Sequence, residues 1–167
     1  ANGGTWSFKT GGGKLLVTGY APVTDMAGLY GLNIGANNYP LVSVNTTDDP
    51  VKFSDNEEPY APGEVRVHPG SSSDLDIVVE YTPPQAGRYT VEGSVRATNT
   101  GWSGTACDGI ALTDGNGFLT EPVITTADRT TKNFSSNPRD VTGSITFCIN
   151  MRTAYSCDST AFALRII

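Results

Sequence analysis

The chain reads as all-β, a two-sheet antiparallel β-sandwich of jelly-roll type, on three observations. Short runs alternate apolar and polar residues with a period of two. Gly, Pro and Asn turn chemistry separates those runs. No stretch keeps apolar residues at i, i+3, i+4 and i+7 without a glycine, proline or β-branched residue interrupting it. The 167 residues include 19 glycines and ten prolines, which fits many short strands joined by turns. No repeat, linker or low-complexity tract divides the chain, so residues 1–167 are read as one sandwich module.

The elements follow in order. Residues 6–8, with Trp6 and Phe8 facing one way, form a short first strand, and Trp6 is expected in the core. Residues 15–20 and 40–45 are further short candidates. In 64–68 the valines Val65 and Val67 point one way and Glu64, Arg66 and His68 the other. The span 76–82 is apolar and ends at Pro83-Pro84, because proline cannot donate to a ladder. Residues 88–96 alternate over their whole length, with Tyr89, Val91 and Val95 facing inward and Gly93 between them. The span 108–112 is short, and Asp114-Gly115-Asn116-Gly117 after it is a strong hairpin signal. A turn is expected at 137–140. Residues 144–150 bury Ile145, Phe147 and Ile149, which puts Cys148 on the opposite face. The last strand, 160–166, buries Phe162, Leu164 and Ile166.

Two of these stretches carry a resemblance. Val65-Arg66-Val67-His68-Pro69-Gly70, then Ile77-Val78-Val79-Glu80-Tyr81-Thr82-Pro83-Pro84-Gln85-Ala86-Gly87-Arg88-Tyr89-Thr90-Val91-Glu92-Gly93, resembles the HPG and TAP-x-AG-x-Y core of a group of bacterial and phage-associated β-sandwich modules. Pro40 to Thr47, Cys107-Asp108-Gly109-Ile110 and Cys157-Asp158-Ser159-Thr160-Ala161-Phe162 are similar to their flanking segments. The resemblance spans residues 40–167 and implies a jelly roll like that of carbohydrate-binding modules, carried on secreted, cell-surface or virion-surface proteins beside polysaccharide-acting domains. Tyr81 stands where such modules carry Trp and Glu80 where Arg is usual, so ligand contacts near this strand are not carried over.

Charge excludes several functions. The net charge is −6 with no basic cluster, a poor match to nucleic acid or anionic membranes. No apolar run approaches the length of a membrane span. The N-terminus, Ala1-Asn2-Gly3-Gly4, has no signal-peptide pattern, as expected of a processed or excised chain. One histidine, His68, excludes any scheme that needs two, and it reads as a turn residue bonded to backbone. No G-x-S-x-G occurs, Thr10 to Lys14 lacks phosphate-loop spacing, and Glu80 and Glu92 face outward. The remaining acids, among them Asp55, Glu57 and Glu58, sit in turns where carboxylates are solvated or cap amides. No enzyme is read from these residues.

Three cysteines, Cys107, Cys148 and Cys157, leave either one disulfide and a spare thiol or three free thiols; if one bridge forms, Cys107–Cys157 is the expected pair. That bridge would bring together Asp108 and Asp158, which follow the two cysteines. The aspartates then read in two ways, as turn caps or as ligands of a structural calcium ion. Sugar recognition needs aromatic rings that stack on pyranose faces beside hydrogen-bonding groups. Trp102, in a Gly/Ser/Thr loop, and Tyr155 are the expected rings, with Arg152 and Asn150 as hydrogen-bonding partners; Trp102 folded over the core is the competing reading. Tyr30 and Tyr39 could form a second polar-aromatic surface. The expected function is non-catalytic binding of a polysaccharide or oligosaccharide by an extracellular module of a multidomain protein. The alternative is a structural or oligomerisation cap of a tailspike or adhesin, forming a homo-oligomer without glycan affinity.

Overall fold

A computed structural model describes residues 3–13, 21–22, 29–33, 40–52, 54–101, 108–154 and 156–167. Fourteen strands are present among them: β1 (Thr5–Thr10), β2 (Ala21–Pro22), β3 (Leu29–Asn33), β4 (Leu41–Asn45), β5 (Val65–His68), β6 (Ile77–Thr82), β7 (Gly87–Tyr89), β8 (Val91–Ala97), β9 (Ile110–Asp114), β10 (Val123–Ile124), β11 (Lys132–Ser135), β12 (Arg139–Val141), β13 (Ile145–Met151) and β14 (Thr160–Ile166). A single 3-10 turn at Ser73–Leu75 is the one helical element described. The protein is an all-β antiparallel sandwich. One sheet has the order β1-β6-β13-β9-β10, the other β11-β8-β14-β5-β4-β3-β2, and β12-β7 form a small separate pair. From β5 onward the chain passes repeatedly from one large sheet to the other, as a jelly roll requires.

The alternation seen in the sequence builds the core. Ile77, Val79, Tyr81, Ile145, Phe147 and Ile149 from the five-stranded sheet meet Val67, Val91, Val95, Phe162 and Ile166 from the seven-stranded one in a single cluster. Register follows from the same pattern, because a slip by one residue would turn every apolar side chain outward. Phe147 pairs with Val79 and Ile149 with Leu112. Gly93 leaves a hole between Val91 and Val95 that the Phe134 ring fills. A Cβ on Gly93 would lie 2.4 Å from both that ring and the Ala163 carbonyl.

Several expectations are corrected. Trp6 is on the inner face but lies on the outermost strand of its sheet, so it stacks on Tyr81 at a centroid distance of 4.8 Å while remaining 41% exposed. The alternating run 88–96 is two strands: Val91–Ala97 pairs with β14, a register that Thr90 extends by exchanging both backbone hydrogen bonds with Ile167, while Gly87–Tyr89 pairs with β12. The strand expected at 108–112 starts at Ile110, because Asp108 is engaged elsewhere and Gly109 has a φ of 78°. The turn at 137–140 is over by Pro138, and Arg139 and Asp140 pair with Tyr89 and Arg88. Asp114 does not open a tight hairpin. Its carboxylate accepts the Asn116, Phe118 and Leu119 amides, holding a wider loop before β10. Residues 15–20 lie outside the described residues.

The largest correction concerns Arg66 and Glu57. Arg66 points away from the core, as its parity requires, yet it is 0% exposed. Residues 56–60 lie over this outer face of the seven-stranded sheet, bonded to Arg66, Thr98, Thr100 and Ser159. Glu57, expected in a solvated turn, is itself buried and accepts from Arg66 Nε at 3.2 Å and Nη2 at 3.0 Å. It also accepts from the Tyr60 hydroxyl at 2.8 Å and the Ser159 hydroxyl at 2.6 Å. A buried guanidinium persists only with such a partner.

Candidate functional site

The ends of β5, β8 and β13 and the starts of β6, β9 and β14 lie together at one end of the sandwich. Asp108 straps two of them together. Its carboxylate accepts from the Thr153 amide at 2.9 Å, the Thr153 hydroxyl and the Ala154 amide at 3.3 Å, while its carbonyl accepts from Arg152 Nη1 at 2.8 Å. Burial pushes the Asp108 carboxyl up, but the hydrogen bonds from Thr153 and Ala154, with the Arg152 charge, outweigh it and hold the group below its ordinary value. Asp108 therefore caps the Thr153 and Ala154 amides.

Asp158 is different. It is 1% exposed, and neither carboxylate oxygen has a hydrogen-bond partner of good geometry. Burial first and the Asp108 charge second push it up to about 8, against the opposing Gly109 amide and Arg152 charge. The two aspartates are thus near enough for their charges to interact, as the sequence argument expected. Cys157, just before Asp158, is disulfide-bonded and holds a φ of 65°. Cys148 is the free thiol. Trp102, Cys107 and Tyr155 lie outside the described residues, as does Tyr39. Arg152 is exposed, and Asn150 lies half-buried on the outer face of β13.

One carboxyl raised and its neighbour lowered is an arrangement that acid–base pairs use. Here the raised member is 1% exposed and faces no open cleft, unlike a general acid that must meet a substrate. His68 is likewise closed: buried, with Nδ1 2.7 Å from the Pro69 carbonyl, and lowered to about 3 by burial and by Arg66. This agrees with its reading as a backbone-bonded residue. Among the described residues no group of three or more His, Cys, Asp or Glu side chains is arranged to hold a metal ion.

A second place was not foreseen from the sequence. Where β10 and β11 form neighbouring edges of the two sheets, a groove of about 410 Å³ opens on the side of the sandwich. Phe118 and Phe134 contribute its rings, and Glu121, Asn133, Asn137 and Arg139 its polar groups. All four polar residues are exposed, and no side-chain hydrogen bond or ion pair engages them among the described residues. The groove draws on residues 118–123 and 133–139, whose amides and hydroxyls carry no local pattern; only the resemblance of 133–135 to a short alternating strand could have signalled it. The opposite side of the sandwich has an apolar slot of about 320 Å³ under Trp6, lined by Phe8, Val65, Phe162 and Leu164.

No family model matches the chain, and no curated protein or solved structure matches it at a significant level.

Proposed function

We propose that this chain is a non-catalytic carbohydrate-binding module of a larger secreted or virion-surface protein. The observation that carries the reading is the side groove. It sets the half-buried Phe134, over a floor closed by the core residue Phe118, beside amides, a carboxylate and a guanidinium without side-chain partners among the described residues; an apolar ring edge next to such hydrogen-bonding groups suits a sugar. The buried state of Asp158 and His68 counts against an acid–base role for either. The loop end, with Arg152 exposed beside the strands that flank Trp102 and Tyr155, is the second surface for the same ligand class.

A glycan array followed by calorimetry tests this with the wild type, Arg139→Ala and Trp102→Ala. Hits on the array with an affinity loss of about tenfold or more in Arg139→Ala, the scale of one charged hydrogen bond, support the groove. Loss only in Trp102→Ala moves the site to the loop end and keeps the module reading. An empty array overturns the reading. A structural cap is favoured by one observation, the apolar slot under the half-exposed Trp6. A tight oligomer in sedimentation, broken by Trp6→Ala and accompanied by an empty array, would replace the first reading with that one.

A further inference from the structure

The loop end holds an unmet chemical demand that glycan binding in the groove does not use. We propose that Asp158 and Asp108 bind a divalent cation of calcium type, with the Asp158 carboxylate as the principal ligand and Asp108 as the second. This inference does not depend on the glycan reading.

The argument starts from Asp158. A carboxylate that is 1% exposed with neither oxygen in a hydrogen bond of good geometry is an arrangement that folded proteins avoid. A neighbouring carboxylate makes it worse, since like charges repel more strongly away from water. A cation reverses the sign of both effects, because the unused lone pairs become ligands and the paired negative charge becomes the attraction. Asp108 is pre-organised for this role. Thr153 and Ala154 give it three hydrogen bonds, out of roughly four acceptor sites on a carboxylate, which fixes the group and leaves a lone pair unused. The donor chemistry selects among metals. Two carboxylates, with no His or thiolate cluster among the described residues, suit a hard cation with oxygen ligands and do not suit zinc. With only two carboxylates, and with Arg152 donating to the Asp108 carbonyl and opposing a second positive charge, affinity falls at the weak end of calcium sites, about 10⁻⁴–10⁻³ M.

The test uses the whole chain, stripped with EGTA and titrated with CaCl2 by calorimetry and thermal unfolding, with MgCl2 and matched NaCl as controls. The wild-type Tm is expected to rise by about 3–10 °C at 10 mM calcium, with a smaller effect of magnesium and none of NaCl at equal ionic strength. Asp158→Asn should lose the calcium response while melting in EGTA at or above the wild-type temperature, because the unpartnered charge is gone. If Asp158→Asn does not fold, Asp108→Asn takes its place, with calcium affinity weakened about tenfold or more. A wild-type Tm that calcium leaves unmoved overturns the proposal. So does a calcium response that survives in Asp158→Asn, or one that Asp108→Asn leaves unchanged.

Discussion

Replacing Glu57 by Gln removes one charge and almost no volume, so it isolates the electrostatic part of the clamp that holds residues 56–60 on the sheet. In the wild type, Arg66 and Glu57 side chains are 0% and 4% exposed and 3.0 Å apart. The variant leaves a guanidinium buried without its counter-charge. Breaking a buried pair from one side costs about 3–5 kcal/mol, a large part of the roughly 5–15 kcal/mol that stabilises a domain. Glu57→Gln should therefore lose about 3–5 kcal/mol in urea unfolding at pH 7, with faster exchange of the Glu58 and Tyr60 amides. Converting both residues to Met should recover much of the loss, since well-packed apolar replacements of buried pairs are often neutral. A loss below about 1 kcal/mol, the worth of a surface pair, would refute the clamp. So would a double variant no more stable than Glu57→Gln.

Three further predictions follow from single residues. His68 is lowered from 6.5 to about 3, so between those values the unfolded chain holds a proton that the folded chain does not. Its contribution is present above pH 6.5 and lost as pH falls toward 3; His68→Gln should flatten the stability–pH curve in that window relative to wild type, and parallel curves would rule this out. Cys148 is raised to about 11 by burial and by the Asp76 charge. Iodoacetamide at pH 8 should label it at least tenfold more slowly than glutathione, and Asp76→Asn should speed labelling; an unchanged rate in that variant removes Asp76 as the cause. Gly93→Ala forces a Cβ to 2.4 Å from a backbone carbonyl as well as from Phe134. It should cost about 1–3 kcal/mol, and trimming Phe134 as well should not restore it, because the Ala163 carbonyl remains.

The parts of the fold visible in the sequence are those where one face is apolar and the other wet. Ile145, Phe147 and Ile149 announce β13, and Phe162 and Ile166 announce β14, because period-two alternation reports the core face directly. The same rule says nothing of what covers the other face. Arg66 has the parity of a solvent-facing residue and is buried because a segment with no periodicity, carrying Glu57 and Tyr60, lies over it. β11 has a single large apolar residue, Phe134, and β12 follows an Asn-Pro pair, so neither pattern stands out from turns. At the site, the juxtaposition of Asp108 and Asp158 was legible because each follows a cysteine. That one would cap amides and the other be buried without a well-formed hydrogen bond was not legible, since it depends on where the amides of Thr153 and Ala154 fall. The side groove was invisible for a related reason: its polar groups come from two distant segments and meet only because β10 and β11 are neighbouring edges.

The clamp over β5 changes what counts as interior in this molecule. β5 has the hydrophobic core on one face, through Val67, and the Glu57–Tyr60 segment on the other, so both faces are dry. Around β5 the domain is three layers deep, with an irregular segment as the third layer. Substitution at Glu57 or Tyr60 is thus subject to the tolerances of a core, while their described neighbours in the same segment are largely exposed, so diversification of this loop should spare those two. Engineering is better aimed at the side groove, whose exposed residues bear no such load.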